Sequence, residues 1–456
     1  MKSHIYEYLI SNTARHRFHM PGHKGNADFL PPALLEMDIT EIPGADNLMH
    51  PNGIIAGFEG NLAQIAKAAR SHFLVNGASA GILAAIMAIN AEKLLVARGA
   101  HHSLYSGLIL SGAMPTYLPP PLIFGAFPGV IDPKNIAAAL DAQKPAALFL
   151  TSPTYEGAIS DIAKIAQMCH NRGVVFIVDE AHGAHLAFSD NFPDSAIALG
   201  ADIVVQSLHK TLPVLGQSAV LHISKNIDKD LADRLAACIR AVQTTSPSYL
   251  LMAQADFAIA KLASEPGIFA DYFARLADLR DYLADIPGII LVDKNSSPDI
   301  FDYDPAKLVL AGDFSGFALA EYLAENFAID IESAQPNHII AMTSCADKPA
   351  AYKTFANAIA QFAKIAKPSP MEGNKILESH IPIIEMSPRQ AFFAKSEQIP
   401  LKQTVGRVCA QFITPYPPGI PLIAPGEVIT PEIIDLAAVL PNPIGLDNRK
   451  IISVII

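Results

Sequence analysis

In "ADIVVQSLHKTLP" a lysine, Lys210, stands just beyond an apolar run that reads as a buried strand. An amine in that place is costly to desolvate unless something uses it. A lone lysine at a strand exit ordinarily reaches solvent, so its neighbours decide the reading. Asp179 emerges in the same way from "VVFIVDEAHGAH" and needs a positive partner or several donors. Its plain reading is a structural ion pair. His182 and His185, with Asp179 and Glu180, also offer nitrogen and oxygen donors to a metal. Gly183 interrupts that stretch, however, and the HExxH order of a helical zinc site is absent. "NGASAG" joins an apolar run to a helix-like segment, where free backbone N–H groups and the Ser79 hydroxyl suit a phosphate. The alternative is a glycine turn with Ser79 as N-cap. "ARGAHHSL" places His101 and His102 after another apolar run, where an imidazole can stack on an aromatic ligand or serve as a hydrogen-bonded loop residue. Ser207 and His209 can donate to a phosphate.

One ligand uses all of these pieces. Pyridoxal phosphate has an aldehyde for a lysine, a ring nitrogen for a carboxylate, a face to stack on and a phosphate. A metal would leave Lys210 and the small-residue turn idle. A dinucleotide would call for GxGxxG after the first strand, which "NGASAG" does not supply.

The elements that must position these residues are legible as a pattern. "HFLV", "KLLVA", "PTYL", "AALFLTS", "VVFIVDE", "DIVVQS" and "SAVLHI" alternate with helix-length amphipathic segments. That alternation indicates βαβ units, and the unbroken apolarity indicates strands covered on both faces. Ligands of such sheets sit beyond the carboxyl ends of the strands. Residues 1–60 are rich in Pro, Gly and His and read as an ordered arm or loop lying over another part of the molecule. Residues 61–285 read as the large domain and end in long helices. Residues 286–365 read as a smaller α+β domain, 365–374 as a linker, and 375–456 as a proline-rich C-terminal domain.

With 456 residues, 51% hydrophobic and 17% charged, the chain can bury a large core. Its net charge of −11 argues against nucleic acid as a partner. Four cysteines are scattered without a CxxC, as in a reduced cytoplasmic protein. The first residues carry no signal-peptide pattern, and no run is apolar enough to suggest a membrane span.

"RFHMPGHKG", "DITEIPGADNL", "FLVNGASAG", "TSPTYEGAISDI", "VDEAHGAH", "QSLHKTLPVLGQSAVLH", "TTSPSYLLMAQAD", "SPRQAFF" and "PYPPGIPLIAPGE" stand in this order along nearly the whole chain. Together they resemble the ornithine/lysine/arginine decarboxylases, in their compact bacterial form without an N-terminal wing domain. The resemblance implies an α/β fold of the aspartate-aminotransferase-like type (fold type I), with a mostly parallel seven-stranded sheet in the cofactor-binding domain. It implies decarboxylation of a basic amino acid, pyridoxal phosphate as cofactor, and a homodimer or larger homo-oligomer with shared sites.

By position, Lys210 is then the Schiff-base lysine and Asp179 the partner of the ring nitrogen. His101 stacks on one face of the ring, Ala181 packs on the other, and His182 lies beside it. Ala78, Ser79, Ala80, Ser207 and His209 hold the phosphate. The family usually has Thr at Ala78 and Leu208, Lys at His102, and Glu at Gln390 and Gln411. The last two departures leave the preferred amino acid open. Asp46, Asp313 and Glu332 are candidates for the carboxylate that meets its distal cation. Lys210, His182 or His209 could carry protons. Another pyridoxal-phosphate activity on this scaffold, or a silent homologue, are the alternatives.

Overall fold

The seven apolar runs become the seven strands of one sheet: β1 (Arg70–Leu74), β2 (Lys93–Ala97), β3 (Met114–Leu118), β4 (Ala147–Thr151), β5 (Val175–Asp179), β6 (Ile203–Gln206) and β7 (Ala219–Ile223). They lie in the order β1-β7-β6-β5-β4-β2-β3. β7 runs antiparallel to both neighbours and the other pairings are parallel. This is the mostly parallel seven-stranded sheet implied by the resemblance. The computed structural model describes residues 16–18, 24, 26–29, 39–369, 382–440, 443–447 and 449–456.

Two-sided burial follows from the strand period of two. On β2, Leu94 and Val96 join a cluster covered by helices Gly77–Ile89, His102–Ser111 and Lys229–Val242. Leu95 and Ala97 join the opposite cluster, under helices Pro133–Gln143 and Ile162–His170. Each fully buried Leu, Val or Ile contributes about 1.5–3 kcal/mol. Three of these helices start at an aspartate N-cap: Asp132, Asp161 and Asp228 each accept a first-turn N–H. Such a cap is worth about 1 kcal/mol.

The segment after β4 leaves the sheet. Its Ala158–Ile159 pairs antiparallel with Asp302–Tyr303, and Asp304 N–H donates to Gly157 O at 2.9 Å. The apolar runs "KLVLA" and "HIIAM" form the centre of a second, antiparallel sheet. Its strands lie in the order Ile290–Leu291, Lys307–Ala311, His338–Met342, Ser333–Gln335. Helices Gly267–Ala284, Gly316–Phe327 and Pro349–Ile365 share its apolar cluster.

Described parts of the N-terminal arm rest on this second lobe. His16–Phe18 pairs in parallel with Ile329–Ile331, Phe18 stacks on Phe355 at 4.5 Å, and Lys24 Nζ donates to Met342 O at 2.9 Å. The rest of "HMPGHKG", and residues 370–374 of the linker, lie outside the described residues.

The C-terminal segment has its own apolar cluster around Cys409, Ile413, Ile423 and Val454. It docks on the sheet through Arg98, just beyond β2. The Arg98 guanidinium pairs with Glu427 at 3.2 Å and donates to Pro421 O at 3.1 Å and Leu422 O at 3.2 Å. It also lies 5.2 Å and 5.1 Å from the ring centres of Tyr105 and Tyr117.

Candidate active site

The carboxyl ends of β4, β5 and β6 meet the second lobe at a cavity of about 300 Å³. Ser207 keeps extended backbone after β6, and the short helix Leu208–Thr211 carries Lys210 to the cavity wall. Asp179 is the last residue of β5 and is 3% exposed. It accepts from Ala181 N–H at 3.1 Å. Burial pushes its carboxyl above the usual range, and Lys210 draws it back. Burial in turn pushes the Lys210 amine down, against the pull of Asp179 and Glu332. A lysine with a depressed pKa is the more nucleophilic one at neutral pH.

His182 sits between two lysines. Its Nε2 is 3.2 Å from Lys210 Nζ, and its Nδ1 is 2.7 Å from Lys307 Nζ. Burial, then the two lysines, hold its pKa well below the ordinary value, so the ring is neutral. Tyr155 meets it edge-on at 5.4 Å. Lys307 opens a central strand of the second sheet and is 1% exposed. Its stem fits only because residue 157 is glycine: with φ +103, a Cβ there would come within 2.9 Å of Lys307 Cβ and Cγ.

At another end of the cavity, helix Gly77–Ile89 starts with Ala78 and Ser79 on the wall. The helix begins before Ser79, so Ser79 lies within its first turn and is not the N-cap; Asn76 is, and it makes no side-chain cap bond. Ala80 turns away from the cavity into the packed interior. Ser207 and His209 line the wall nearby, with His209 Nδ1 committed to Ser218 O at 3.0 Å. His101 caps the helix His102–Ser111, its Nδ1 held by Ser103 N–H at 3.2 Å and Ser103 Oγ at 2.9 Å. Burial, Lys210 and His102 hold its pKa down to about 4. Ala181 lines the cavity, as do Tyr416, Pro417 and Pro418 of the C-terminal segment.

The acidic groups sort clearly. Glu332 lines the cavity and accepts from the Tyr155 hydroxyl at 3.1 Å. Glu156 also lines it, and its Oε2 has no hydrogen-bond partner. Burial lifts the Glu156 carboxyl to about 7. Asp46 instead caps its own loop. Against the upward pull of burial, the N–H groups of Asn52, Asn47 and Gly53 hold it at about 2. Asp313 is exposed and is not among the residues lining the cavity. Gln390 completes a capping box with Ser387, and Gln411 accepts from Ser453 N–H at 3.0 Å. Neither lines the cavity, and both side chains bond the backbone of the C-terminal segment.

The donors weighed for a metal face separate partners. His185 bonds Asp304 at 3.0 Å, while Glu180 accepts from Ser195, Gln206 and Ala196 N–H. Among the described residues, no group of three or more His, Cys, Asp or Glu is placed to hold a metal ion.

Sequence reasoning missed Tyr155, Glu156 and Lys307. The first two were in sight within "TSPTYEGAISDI", in the position just after a strand end where the site residues were sought. Lys307 carried only the weak signal of a charge opening a wholly apolar run, "KLVLA".

Comparison with known proteins identifies the family. Residues 4–302 match the family model described as Orn/Lys/Arg decarboxylase, major domain, and residues 373–440 match its C-terminal domain. The chain is 35% identical to an arginine decarboxylase of Halalkalibacterium halodurans, over 91% of this chain and 88% of that one. It is 32% identical to an arginine decarboxylase of Bacillus subtilis, over 94% and 92%. A lysine decarboxylase of Francisella novicida shares the fold at a TM-score of 0.80, with 20% identity over 94% of this chain and 76% of that one. With the motifs, the sheet order and the cavity in agreement, the chain belongs to the ornithine/lysine/arginine decarboxylase family.

Proposed function

We propose that the chain decarboxylates arginine, with pyridoxal phosphate held in the cavity by Lys210, Asp179 and the wall around them. The observation that carries this reading is the convergence of Lys210, from beyond β6, and Asp179, from the end of β5, on one cavity. The residues present fit the cofactor. Asp179 is a buried carboxylate in need of a cationic N–H. The helix Gly77–Ile89 leaves its first-turn N–H groups without a side-chain cap, as a phosphate requires. Bound there, the cofactor supplies an electron sink for the carbanion left when CO₂ departs.

The chain's own residues do the rest. Asp179 holds a proton at the ring nitrogen. His101, locked by Ser103, presents a ring face on one side, and Ala181 leaves room on the other. Ser79 and Ser207 offer hydroxyls to the phosphate. His209, with Nδ1 spent on Ser218 O, donates through Nε2 only as imidazolium, which a phosphate dianion beside it favours. Lys210 and His182, 3.2 Å apart on the cavity wall, would carry the protons exchanged with the substrate. Tyr416, Pro417 and Pro418 add a stretch of wall from the C-terminal segment.

Glu332 and Glu156 supply the acidic end. Two carboxyl groups suit the two-edged guanidinium better than a compact ammonium. The two relatives named arginine decarboxylases, matched over nearly the whole chain, support the same choice. We assign the protein to the cytoplasm, since its four cysteines are unpaired and, among the described residues, no helix is long and apolar enough to cross a membrane. A homodimer is consistent with the exposed Leu110, Phe392 and Phe393, brought together where Arg389 donates to Leu110 O at 2.8 Å.

The test is CO₂ release from arginine, lysine and ornithine by wild type, Lys210→Ala and Glu332→Gln. The expected result is turnover of arginine, none in the alanine variant, and in Glu332→Gln a KM for arginine raised about tenfold or more. Amino-acid loss that requires a keto acid and releases no CO₂ would assign the scaffold to transamination instead.

A further inference from the structure

Glu332 stands at the acidic end of the cavity, its side chain held by the Tyr155 hydroxyl at 3.1 Å. Its backbone is a junction. The residues after it, Ser333–Gln335, belong to the second sheet, and Glu332 N–H itself donates to Ile340 O at 3.0 Å. The residues before it, Ile329–Ile331, do not join that sheet. Among the described residues, the strand paired with them is His16–Phe18 of the N-terminal arm, where His16 N–H donates to Ala328 O at 2.8 Å. A two-stranded ladder this short is weak by itself. Phe18 anchors it, 1% exposed and stacked on Phe355 of the helix Pro349–Ile365.

The same arm reaches the opposite wall of the cavity. Lys24 and Asn26 donate to Met342 O at 2.9 Å and Ala346 O at 3.2 Å, and Phe29 O accepts from Gln254 Nε2 at 2.9 Å. Gln254 is fully buried on the helix Tyr249–Ser264, and its amide is spent on backbone. Nε2 also donates to Pro213 O at 3.0 Å, and Oε1 accepts from Leu215 N–H at 2.8 Å. Pro213 and Leu215 follow closely on the short helix that carries Lys210. The arm thus grips the backbone leading into Glu332 and, through one amide, the loop leaving Lys210.

We propose that residues 16–18 and 26–29 of the arm form a positioning strap that sets the reach from Lys210 to Glu332, and so the length of side chain the site accepts. This deepens the decarboxylase reading and rests on it for the role of Glu332. With its α-amino group at the Lys210 end, a substrate meets Glu332 only if its side chain matches the span. A misplacement of about 1 Å can cost about 10²-fold in rate, and one methylene is ordinarily worth about 10–200-fold. A rigid span discriminates among ornithine, lysine and arginine, and a slack one does not.

Two variants release the strap at different ends. Phe18→Ala frees it from the second lobe, and Phe29→Ala, at a residue 5% exposed, frees it beside Gln254. Selectivity is read as the ratio of kcat/KM between the basic amino acid that wild type prefers and the next one. Either variant should narrow that ratio about tenfold. The double variant should narrow it no further, because a strap released at one end is already slack. An arm that only adds stability would lower kcat/KM for all three amino acids by one factor. That result, or a double variant whose loss is the product of the singles, overturns the proposal. A second measurement needs no variant. Hydrogen exchange in cofactor-free wild type, in urea below the unfolding transition, should deprotect residues 16–18, 27–29 and 329–331 in one step. Separate loss of protection in these segments overturns the proposal. If wild type releases no CO₂ from any of the three amino acids while exchange behaves as expected, the decarboxylase reading fails and the hold of the arm on the Glu332 strand stands.

Discussion

Glu156→Gln tests the acidic end of the cavity through stability as well as binding. Glu156 is 7% exposed, its Oε2 lacks a partner, and burial raises its carboxyl from 4.5 to about 7. Its folded pKa thus lies above its unfolded one. Below about pH 4.5 both states are protonated and nothing is lost. As pH rises from there to about 7, the unfolded chain ionises first and stability falls; above 7 the loss is complete. The gap, at about 1.4 kcal/mol per pH unit, amounts to about 3 kcal/mol. For 456 residues, with an unfolding entropy of about 2.1 cal/mol/K per residue, that is about 3 °C in Tm. Glutamine has the same shape and never ionises. Cofactor-free Glu156→Gln should therefore melt about 3 °C above wild type at pH 8, with the advantage vanishing toward pH 4.5. Arginine should show the opposite preference. A guanidinium needs ionised Glu156, so the wild-type KM for arginine should fall as pH rises through about 7, and the KM of the glutamine variant should be flat there. Differential scanning fluorimetry at several pH values and steady-state CO₂ release supply the two readouts. A variant less stable than wild type at pH 8, or a KM with the same pH profile in both proteins, would refute the reasoning.

Two further substitutions separate chemistry from packing. Asp179→Asn keeps the acceptor for Ala181 N–H but sheds a desolvated charge, so cofactor-free protein should melt no lower than wild type while kcat drops about 10²–10³-fold; a kcat within a few-fold of wild type would be the contrary result. Gly419 has φ +87, and a Cβ there would meet His101 Nε2 at 2.9 Å. Gly419→Ala should therefore lower stability by about 1–2 kcal/mol of backbone strain and, by displacing His101, weaken cofactor binding as read by absorbance titration.

The sheet was legible because its strands are buried on both faces and so read as unbroken apolar runs. The residues at strand ends were legible for a related reason: Asp179 and Lys210 are charges set against those runs. What the chain order hid was adjacency. Lys307 lies far along the sequence from His182, and the pairing of Ala158–Ile159 with Asp302–Tyr303, with the His185–Asp304 contact, brings their neighbourhoods together. Nothing in the local sequence marks Glu156 for burial, yet it is 7% exposed. Asp46 shows the converse. A carboxylate in a glycine-rich loop looked available for a ligand, yet its lone pairs were already taken by backbone N–H groups a few residues on. Ala80 points its methyl inward because it is a first-turn residue beside two wall residues, which leaves only its backbone N–H for a phosphate.

The Arg98 contact ties the first part of the chain to the last. Its guanidinium relies on Glu427, Pro421 and Leu422 for acceptors while it lies against two tyrosine rings at the sheet's edge. A nascent chain that has completed β2 and β3 must wait for some three hundred more residues before that cation is neutralised. Loss of the last few dozen residues would thus strand a charge beside the central sheet, far from the missing piece.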